Sequence, residues 1–364
     1  MKILHVITSL RKSAGTTTFV NGLCETLHTL GHEVVIALTR IDGEYLGEVP
    51  QAPIRVIRIA DVVSSDERFD IVHIHGLWEF PLISAARWAV GHGIPMAWSP
   101  HGALAPWAMR HHWWKKFLVW HFAQKPILKR TALFHSTSEQ ESEWIHGAGF
   151  TQRIVEAPLG TTIRPATQSY GVKSGKRYLL FVGRIYPVKG LVNLINAWRL
   201  VFDSSPSGLA DWILRIVGPD QDGHRIELEK LVKSLRLKRR VEFTGPKFGS
   251  DLVAEYDHCA CLVLPSFTEN FGGVVVDAMA HCKPCIASTF TPWRILKERS
   301  CGWWVSNEPS FMAQAIREMI DAGDDLRCEM GKRGRKLVEE KYTWDVVTEK
   351  MVEGYKSELR RRNN

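Results

Sequence analysis

Two acidic residues bracket a pair of glycines near residue 270. Glu269 precedes Gly272 and Gly273, and Asp277 follows eight positions after Glu269. The surrounding pattern predicts a strand, a tight turn and a helix. The free N–H groups at a helix start attract phosphate, and glycine lets a ligand approach the backbone closely. Two carboxylates beside such a site suit a ligand with hydroxyls on both sides of its phosphates, as in a nucleotide-sugar.

Two basic residues follow another apolar run. Arg184 and Lys189 come after the predicted strand 178–182. Fixed cations there would suit a diphosphate leaving group, whose negative charge grows as its bond to a sugar breaks. The alternative is a pair of solvated surface charges. The acidic segment at a neighbouring strand end favours the diphosphate interpretation.

Short apolar strands alternate with helical patterns through both halves of the chain. The predicted strands are 3–7, 34–38, 54–59, 71–75, 95–99, 133–136 and 153–157, then 178–182, 213–217, 241–244, 262–264 and 285–288. A helix from about Thr17 to Leu30 is stopped by Gly31. Buried strands that alternate with helices predict parallel sheets, whose ligands bind beyond the strand carboxyl ends. We therefore expect an α/β chain with two Rossmann-like domains facing each other across a cleft.

The domain bounds are read from composition. Residues 1–168 form the predicted acceptor-side domain, 169–342 the nucleotide-sugar domain, and 171–176 a polar linker. Residues 343–364 contain Trp344, Met351 and Tyr355 at helical spacing, and Thr343 is a good N-cap. This helix is expected to cross back to the first domain.

Composition is that of a soluble globular protein, at 45% hydrophobic and 24% charged residues over 364 positions. The absence of a membrane-spanning run or a leader before the first strand predicts a cytosolic protein. The net charge of +8 favours an anionic partner such as nucleic acid, anionic lipid or a phosphorylated substrate.

Two short motifs have competing interpretations. Cys282 and Cys285 form a single C-x-x-C, which fits either a redox or zinc role or two packed thiols in a turn. Asp220-Gln221-Asp222 has a D-x-D form that could bind a metal, although the following Gly223 favours a surface turn.

An ordered set of motifs resembles a known family. Gly183-Arg184 with Lys189-Gly190, Val217-Gly218-Pro219, Phe243-Thr244-Gly245 and the segment from Pro265 to Ala280 occur in that order. Together they resemble the retaining glycosyltransferases of family 4, which have the GT-B fold. The segment from Thr291 to Val305 resembles a bacterial subgroup that builds surface polysaccharide or lipopolysaccharide. The resemblance implies a nucleotide-sugar donor, no metal, and retention of anomeric configuration.

The resemblance also implies residue roles. Glu269 would bind hydroxyls of the donor sugar, Asp277 the ribose, and Arg184 and Lys189 the diphosphate. The remaining donor-binding positions implied are Gly15, Thr16, Asn270, Phe271, Gly272, Gly273, Pro246 and Lys247. His101 resembles the family's histidine near the donor sugar, against the alternative of a loop histidine with ordinary partners. The donor phosphate would accept the acceptor's proton, so the protein would supply positioning and charge stabilisation.

Three positions depart from the family pattern. Asp277 stands where Glu is usual, Gly15 stands alone where a glycine pair is usual, and His281-Cys282 replaces a helix-ending glycine. The shorter Asp277 is expected to need a water or a small helix shift to reach a ribose. Residues Thr16–Thr18 are expected to supply hydroxyls in the first loop.

A basic, tryptophan-rich segment covers residues 106–130. No Asp or Glu occurs from Pro81 to Ser138, and Trp113, Trp114, Lys115 and Lys116 lie at its centre. Tryptophan beside lysine favours a bilayer interface. The segment is therefore a candidate membrane or acceptor site for a saccharide or lipid-linked acceptor, with a peripheral location on the inner face of the cytoplasmic membrane. The alternatives are an aromatic core helix with a basic solvated face, and an acceptor-phosphate site.

Other functions fit less well. A dinucleotide oxidoreductase predicts G-x-G-x-x-G after the first strand, which residues 9–15 lack. A nucleic-acid-binding protein would explain the basic segment, but Glu269 and Asp277 would repel phosphate chains. An inverting transferase, a nucleotide-sugar epimerase or a phosphorylase with the same fold remains as an alternative.

Overall fold

The computed structural model describes residues 1–12, 15–110, 113–163, 177–204 and 209–363. The chain divides into two compact units, one of Met1–Gly160 with Thr343–Asn364 and one of Thr161–Tyr342. The predicted linker 171–176 lies outside the described residues.

The first unit is a parallel sheet flanked by helices. Its strands are β1 (Lys2–Val6), β2 (Glu33–Leu38), β3 (Arg55–Arg58), β4 (Ile71–His75), β5 (Met96–Ser99), β6 (Leu133–Ser136) and β7 (Arg153–Glu156). Its helices are α1 (Gly15–Thr29), α2 (Ile59–Val63), α3 (Phe80–Gly91), α4 (Pro106–Arg110), α5 (Trp113–Val119), α6 (Lys125–Leu128), α7 (Glu139–Gly147) and α15 (Trp344–Asn363). A turn of π-helix, Trp120–Gln124, joins α5 to α6. The strand order is β3-β2-β1-β4-β5-β6-β7.

The second unit repeats this architecture. Its strands are β8 (Arg177–Val182), β9 (Trp212–Val217), β10 (Val241–Gly245), β11 (Cys261–Leu264), β12 (Cys285–Ser288) and β13 (Gly302–Val305). Its helices are α8 (Leu191–Ser204), α9 (His224–Ser234), α10 (Gly249–His258), α11 (Val274–Ala280), α12 (Ile295–Glu298), α13 (Pro309–Asp321) and α14 (Gly323–Lys341). The order β10-β9-β8-β11-β12-β13 is parallel throughout.

Every predicted strand is confirmed to within two residues at each end, and so is α1. Strand β13 was not predicted. It lies at the sheet edge and its four residues are only half-buried, so it lacks the buried apolar run that marks most of the other strands.

Helix α15 packs on the first unit through its apolar face. Val347, Met351 and Tyr355 are fully buried in one core cluster with residues of β1 and α1. Thr343 Oγ1 accepts a hydrogen bond from Val346 N at 3.3 Å, as an N-cap does. Apolar spacing in the sequence was therefore a reliable signal for this helix.

The seven cysteines are free thiols, and Cys282 and Cys285 are both buried. Burial raises the pKa of the Cys285 thiol, which makes it a poor nucleophile and metal ligand at neutral pH. The turn between α11 and β12 therefore fits the packed-thiol interpretation of the C-x-x-C pair.

Candidate active site

A carboxylate and an ammonium group meet beyond the carboxyl ends of β8 and β11. Lys189 Nζ donates to Glu269 Oε1 at 2.5 Å, and Ser266 Oγ donates to the same oxygen at 2.8 Å. The two charged side chains are only 16% and 12% exposed. Because β8 and β11 are neighbours in the sheet, the structure brings together two residues that lie 80 positions apart in the sequence.

Backbone contacts hold this cluster in place. Phe267 N donates to Val188 O at 2.8 Å, which joins the loop after β11 to the turn after β8. On the other side, Ser288 Oγ of β12 donates to Ser266 O at 2.5 Å. The position of Glu269 is thus set by the strands on both sides of β11.

The glycine pair lies in the tight turn that opens α11. Gly272 has a φ of +81°, a region that favours glycine. Phe271 O accepts from Trp293 Nε1 at 2.6 Å, and the Phe271 ring is buried against Trp293 and Tyr342. Phe271 therefore offers a ligand only its backbone, as Gly273 does. Helix α11 follows the turn and is seven residues long.

Asp277 has a partner at the start of the second unit. Thr161 Oγ1 donates to Asp277 Oδ1 at 3.0 Å. Burial raises the pKa of Asp277 to about 6, against smaller opposing effects of Thr161 and of His281. The carboxylate is therefore ionised at neutral pH but is costly to keep so.

We expect Asp277 to make stability depend on pH. An acid with a raised folded-state pKa keeps a proton that the unfolded chain has lost, so stability falls as pH rises from about 4 to about 6 and then levels off. Asp277→Asn should therefore be more stable than the wild type at pH 7.5, by about 1–3 kcal/mol, and the gap should close near pH 4. Urea unfolding at both pH values measures this.

Asp324 provides a control, because its effect on the pH dependence of stability should have the opposite sign. The hydrogen bond from Arg327 lowers the pKa of Asp324, so its contribution is present at neutral pH and is lost as pH falls. Asp324→Asn should be less stable than the wild type at pH 7.5. A stability difference between Asp277→Asn and the wild type that does not change with pH would contradict a raised pKa of Asp277.

Arg184 and the D-x-D motif lie in adjoining turns. Arg184 is exposed, and its Nη1 donates to Gln221 Oε1 at 2.8 Å. Asp220 Oδ1 accepts from Arg225 N at 2.9 Å, and Asp222 has a φ of +58°. The motif therefore forms the predicted turn before α9. Arg184 and Lys189 both follow β8, and their predicted binding of a diphosphate stays a prediction.

Lys247 serves as a partner for a buried acid. It follows Pro246 after β10, and its Nζ forms an ion pair with Glu255, which also binds Arg215 at 3.2 Å. Burial alone would raise the pKa of Glu255, but the hydrogen bond from Lys247 and the charge of Arg215 hold it below its usual value. Lys247 thus has a structural use that the sequence did not indicate.

Predicted site residues of the first unit occupy two strand ends. Gly15 is exposed and Thr16 half-buried at the start of α1, and a Cβ on Gly15 would meet no atom within 4 Å. His101 follows β5 with a φ of +51°, and its Nε2 lies 3.0 Å from His75 Nδ1. The glycine is therefore not required by packing, whereas His101 is held in a strained conformation by a specific partner.

Sequence reasoning missed the histidines behind His101. His5, His73, His75 and His135 are all buried in strands of the first sheet. His73 and His75 alternate on β4, and His5 on β1 is in register with His73. Residues two apart on a strand share a face, so the H-x-H spacing in an apolar strand was a usable signal.

The basic aromatic segment is partly core and partly surface. Trp120 is buried and packs on Phe150. Five other large apolar side chains are more than half exposed: Trp107, Trp114, Phe117, Leu118 and Phe122. The side chains of Trp113 and Lys115 lie outside the described residues.

Lys116 is engaged inside the segment. Its Nζ donates to Ala108 O at 2.6 Å and lies 5.2 Å from the centre of the Trp78 ring. Burial lowers the pKa of Lys116. Lys116 therefore links α5 to α4 through a hydrogen bond. This structural contact was not part of the predicted membrane or acceptor role. No helix of the described part of the chain has the length and apolarity needed to span a bilayer.

Two parallel-sheet α/β units, the second with a partly buried cation–carboxylate pair at its strand ends, are the architecture of the GT-B glycosyltransferase fold. The chain belongs to the family 4 type of these proteins. The family model described as Glycosyl transferase 4-like domain matches residues 14–160, and the model described as Glycosyl transferases group 1 matches residues 163–337.

Curated relatives match a part of the chain. An uncharacterized glycosyltransferase of Methanocaldococcus jannaschii is 30% identical over 52% of this chain and 47% of its own length. A D-inositol 3-phosphate glycosyltransferase of Corynebacterium glutamicum is 31% identical over 44% of this chain and 39% of its own length. The chain thus spans about half the length of the curated relatives it matches, or less.

Solved structures match over nearly the whole chain. Sucrose-phosphate synthase of Thermosynechococcus elongatus has a TM-score of 0.78 at 19% identity, covering 98% of this chain and 99% of its own. Anabaena HepE in complex with UDP has a TM-score of 0.79 at 18% identity, covering 98% of this chain and 100% of its own. At these identities the likeness concerns the fold.

Proposed function

We propose that this protein is a retaining glycosyltransferase that moves a sugar from a nucleotide-sugar donor to a saccharide or lipid-linked acceptor, in polysaccharide or lipopolysaccharide synthesis. The observation that carries the proposal is the cluster of Lys189, Glu269 and Ser266 beyond β8 and β11. A partly buried carboxylate held by a cation and a hydroxyl is well placed to accept hydrogen bonds from sugar hydroxyls. The likeness to a solved UDP complex supports a nucleotide-sugar as the donor.

In the proposed donor site, the charged side chains bind different parts of the nucleotide-sugar. Glu269 accepts from hydroxyls of the donor sugar, and Lys189 lies between that carboxylate and the diphosphate. Arg184 turns from Gln221 to the departing phosphate, where an arginine binds two oxygens at once. Asp277 accepts from the ribose. Since two cations meet the charge that develops on the leaving group, the reaction needs no metal for that purpose.

Transfer assays test the reaction. The purified protein is incubated with UDP-glucose and other nucleotide-sugars that raise its melting temperature, because a ligand bound by the folded state raises apparent stability. We expect an axial donor linkage to be kept in the product, as read by NMR of the anomeric proton, and the rate to persist in EDTA. An inverted product would contradict retention, and would indicate an inverting enzyme of the same fold.

The exposed part of the basic aromatic segment is the proposed membrane contact. Phe122 is 77% exposed and Trp114 is 60% exposed, although large aromatic side chains are usually shielded from water. The segment carries basic side chains and no acid between Pro81 and Ser138. An anionic leaflet would cover the aromatic rings and attract the cations, at about 1 kcal/mol for each cation near the surface. The protein would then lie on the inner face of the cytoplasmic membrane, where a lipid-linked acceptor is accessible.

Vesicle flotation measures this contact. The wild type should float with vesicles that contain phosphatidylglycerol and less with pure phosphatidylcholine. Trp114→Ser combined with Phe122→Ser should reduce binding at least about tenfold, since each ring contributes about 1.5–3 kcal/mol when buried. Phe311→Ser is the matched control, because Phe311 is 52% exposed on α13 of the second unit. Equal flotation of the double variant and the wild type would remove the membrane contact from the proposal.

A further inference from the structure

Two chains of hydrogen bonds run through the histidines of the first sheet. The first chain joins Ala157 O, His135, Ser99, His73 and Tyr355. Its contacts are His135 Nε2 to Ala157 O at 2.7 Å, and three of 2.6 Å: Ser99 Oγ to His135 Nδ1, His73 Nε2 to Ser99 Oγ, and Tyr355 OH to His73 Nδ1. All the side chains in it are buried.

The direction of this first chain follows from one atom. The carbonyl oxygen of Ala157 can only accept, so His135 carries its proton on Nε2 and accepts on Nδ1 from Ser99. The Ser99 oxygen then accepts from His73 Nε2–H, and His73 Nδ1 accepts from the Tyr355 hydroxyl. Every ring nitrogen in this chain is used once.

The second chain ends at His101. His5 Nδ1 lies 3.0 Å from His75 Nε2, and His75 Nδ1 lies 3.0 Å from His101 Nε2. His5 is fully buried, and its Nε2 has no hydrogen-bond partner among the described residues. At the other end, no hydrogen bond to His101 Nδ1 is formed within the described ranges, and His101 is only half-buried.

Two proton arrangements satisfy the two inner contacts of this chain. In one, each ring is protonated on Nδ1 and donates toward His101, which leaves a bare nitrogen at His5 and an N–H at His101. In the other, each ring is protonated on Nε2 and donates toward His5, which leaves a buried N–H at His5 without an acceptor. Orphaned buried N–H groups are rare in native proteins. The first arrangement is therefore favoured.

We propose that His5 and His75 are positioning residues that hold His101 in the Nδ1–H tautomer, so that His101 presents a hydrogen-bond donor to a sugar oxygen of the substrate. The assignment of that oxygen rests on the proposed function. The tautomer rests on the buried hydrogen bonds alone. In this arrangement His101 donates a hydrogen bond and does not act as a general base.

The rings stay uncharged, as the arrangement requires. Burial lowers the pKa of His5 and of His101 to about 3, and that of His135 to about 4. His73 and His75 also have lowered pKa values, through burial and through the neighbouring rings. Reversing the direction of these hydrogen bonds through a protonated ring would therefore cost much free energy at neutral pH.

Metal binding is a competing use of His5, His73 and His75, whose nitrogens lie within 4.8 Å of one another. His73 has no nitrogen to spare, because Ser99 and Tyr355 occupy both. A metal ion would have to break one of those 2.6 Å bonds. The hydrogen-bond arrangement uses all the contacts as they stand.

Nitrogen-15 NMR of the histidine rings tests the proposal in the intact protein. We expect His5, His75 and His101 to carry the proton on Nδ1, and His73 and His135 on Nε2, with no titration between pH 6 and 8. His28→Asn, on the exposed face of α1, is the control and should leave the five patterns unchanged. An Nε2–H tautomer at His101, or shifts that respond to added Zn²⁺, would overturn the proposal.

Two variants of His75 separate positioning from packing. His75→Asn keeps an N–H near the position of Nδ1 and should preserve the His101 tautomer and most of the turnover. His75→Leu removes the donor and should change the His101 Nε2 shift and lower kcat at least about tenfold, with a smaller change in KM. Equal effects of the Asn and Leu variants on the His101 shift would overturn the proposal that His75 sets the His101 tautomer. Normal ring patterns in a protein that transfers no sugar would instead contradict the proposed function.

Discussion

Replacing Glu269 by alanine should lower turnover with the true donor at least about tenfold, which corresponds to more than about 1.4 kcal/mol of lost transition-state stabilisation. Glu269 is the only carboxylate that contacts Lys189 within the described residues, at 2.5 Å, and Ser266 fixes the same oxygen at 2.8 Å. Removing it takes away the proposed acceptor for the sugar hydroxyls. It also leaves the Lys189 ammonium group without its partner. Initial-rate kinetics give kcat and KM separately.

Loss of the ion pair by itself could also lower stability, so the experiment needs a second variant. Removing one member of a shielded pair is destabilising, while replacing both members by apolar groups is often neutral. Glu269→Ala should therefore lower the melting temperature, and adding Lys189→Met should restore much of it. Turnover should remain low in the double variant. A double variant that regains both stability and turnover would show that the pair is structural.

The matched control is Glu298→Ala. Glu298 of α12 also pairs with a basic residue, Arg294 at 3.0 Å, but both side chains are more than half exposed. Exposed pairs contribute little, about 0–1 kcal/mol. We expect normal turnover and an almost unchanged melting temperature. Near-normal turnover of Glu269→Ala itself would contradict the role assigned to Glu269.

The sequence was sufficient to predict the strands because most of them are buried on both faces. Such strands are continuous apolar runs, as in the residues of β2 and β11. Strand order then brings neighbouring ends together, which is why Glu269 and Lys189 could be expected at one sheet edge. The half-buried edge strand β13 gave no such signal.

Side-chain partners could not be predicted in the same way. Lys247 and Arg184 were both predicted to bind the donor, but in the structure they contact Glu255 and Gln221. Which partner a long flexible side chain chooses depends on distances that only the packed fold sets. The histidines behind His101 are a different case, since strand alternation already placed two of them on one face.

Replacing Gly190 by alanine should destabilise the second unit by at least about 3 kcal/mol. Gly190 has a φ of +70°, and a Cβ there would lie 2.1 Å from Pro265 O. That carbonyl belongs to the segment that carries Ser266 and Glu269, so it cannot move without moving the site. The change should lower the midpoint of urea unfolding, and it should weaken nucleotide binding at temperatures where the protein remains folded.

Gly223→Ala separates the backbone strain from the steric clash, the two effects that should lower the stability of Gly190→Ala. Gly223 has a similar φ of +77°, but a Cβ there would meet no atom within 4 Å. It should therefore cost only the left-handed backbone strain of a side chain, about 1–2 kcal/mol. The difference between the two variants measures the close approach of the turn after β8 to the loop after β11. Equal stability of the two variants would show that this close approach does not hold Lys189 against Glu269. That result would contradict a rigid site.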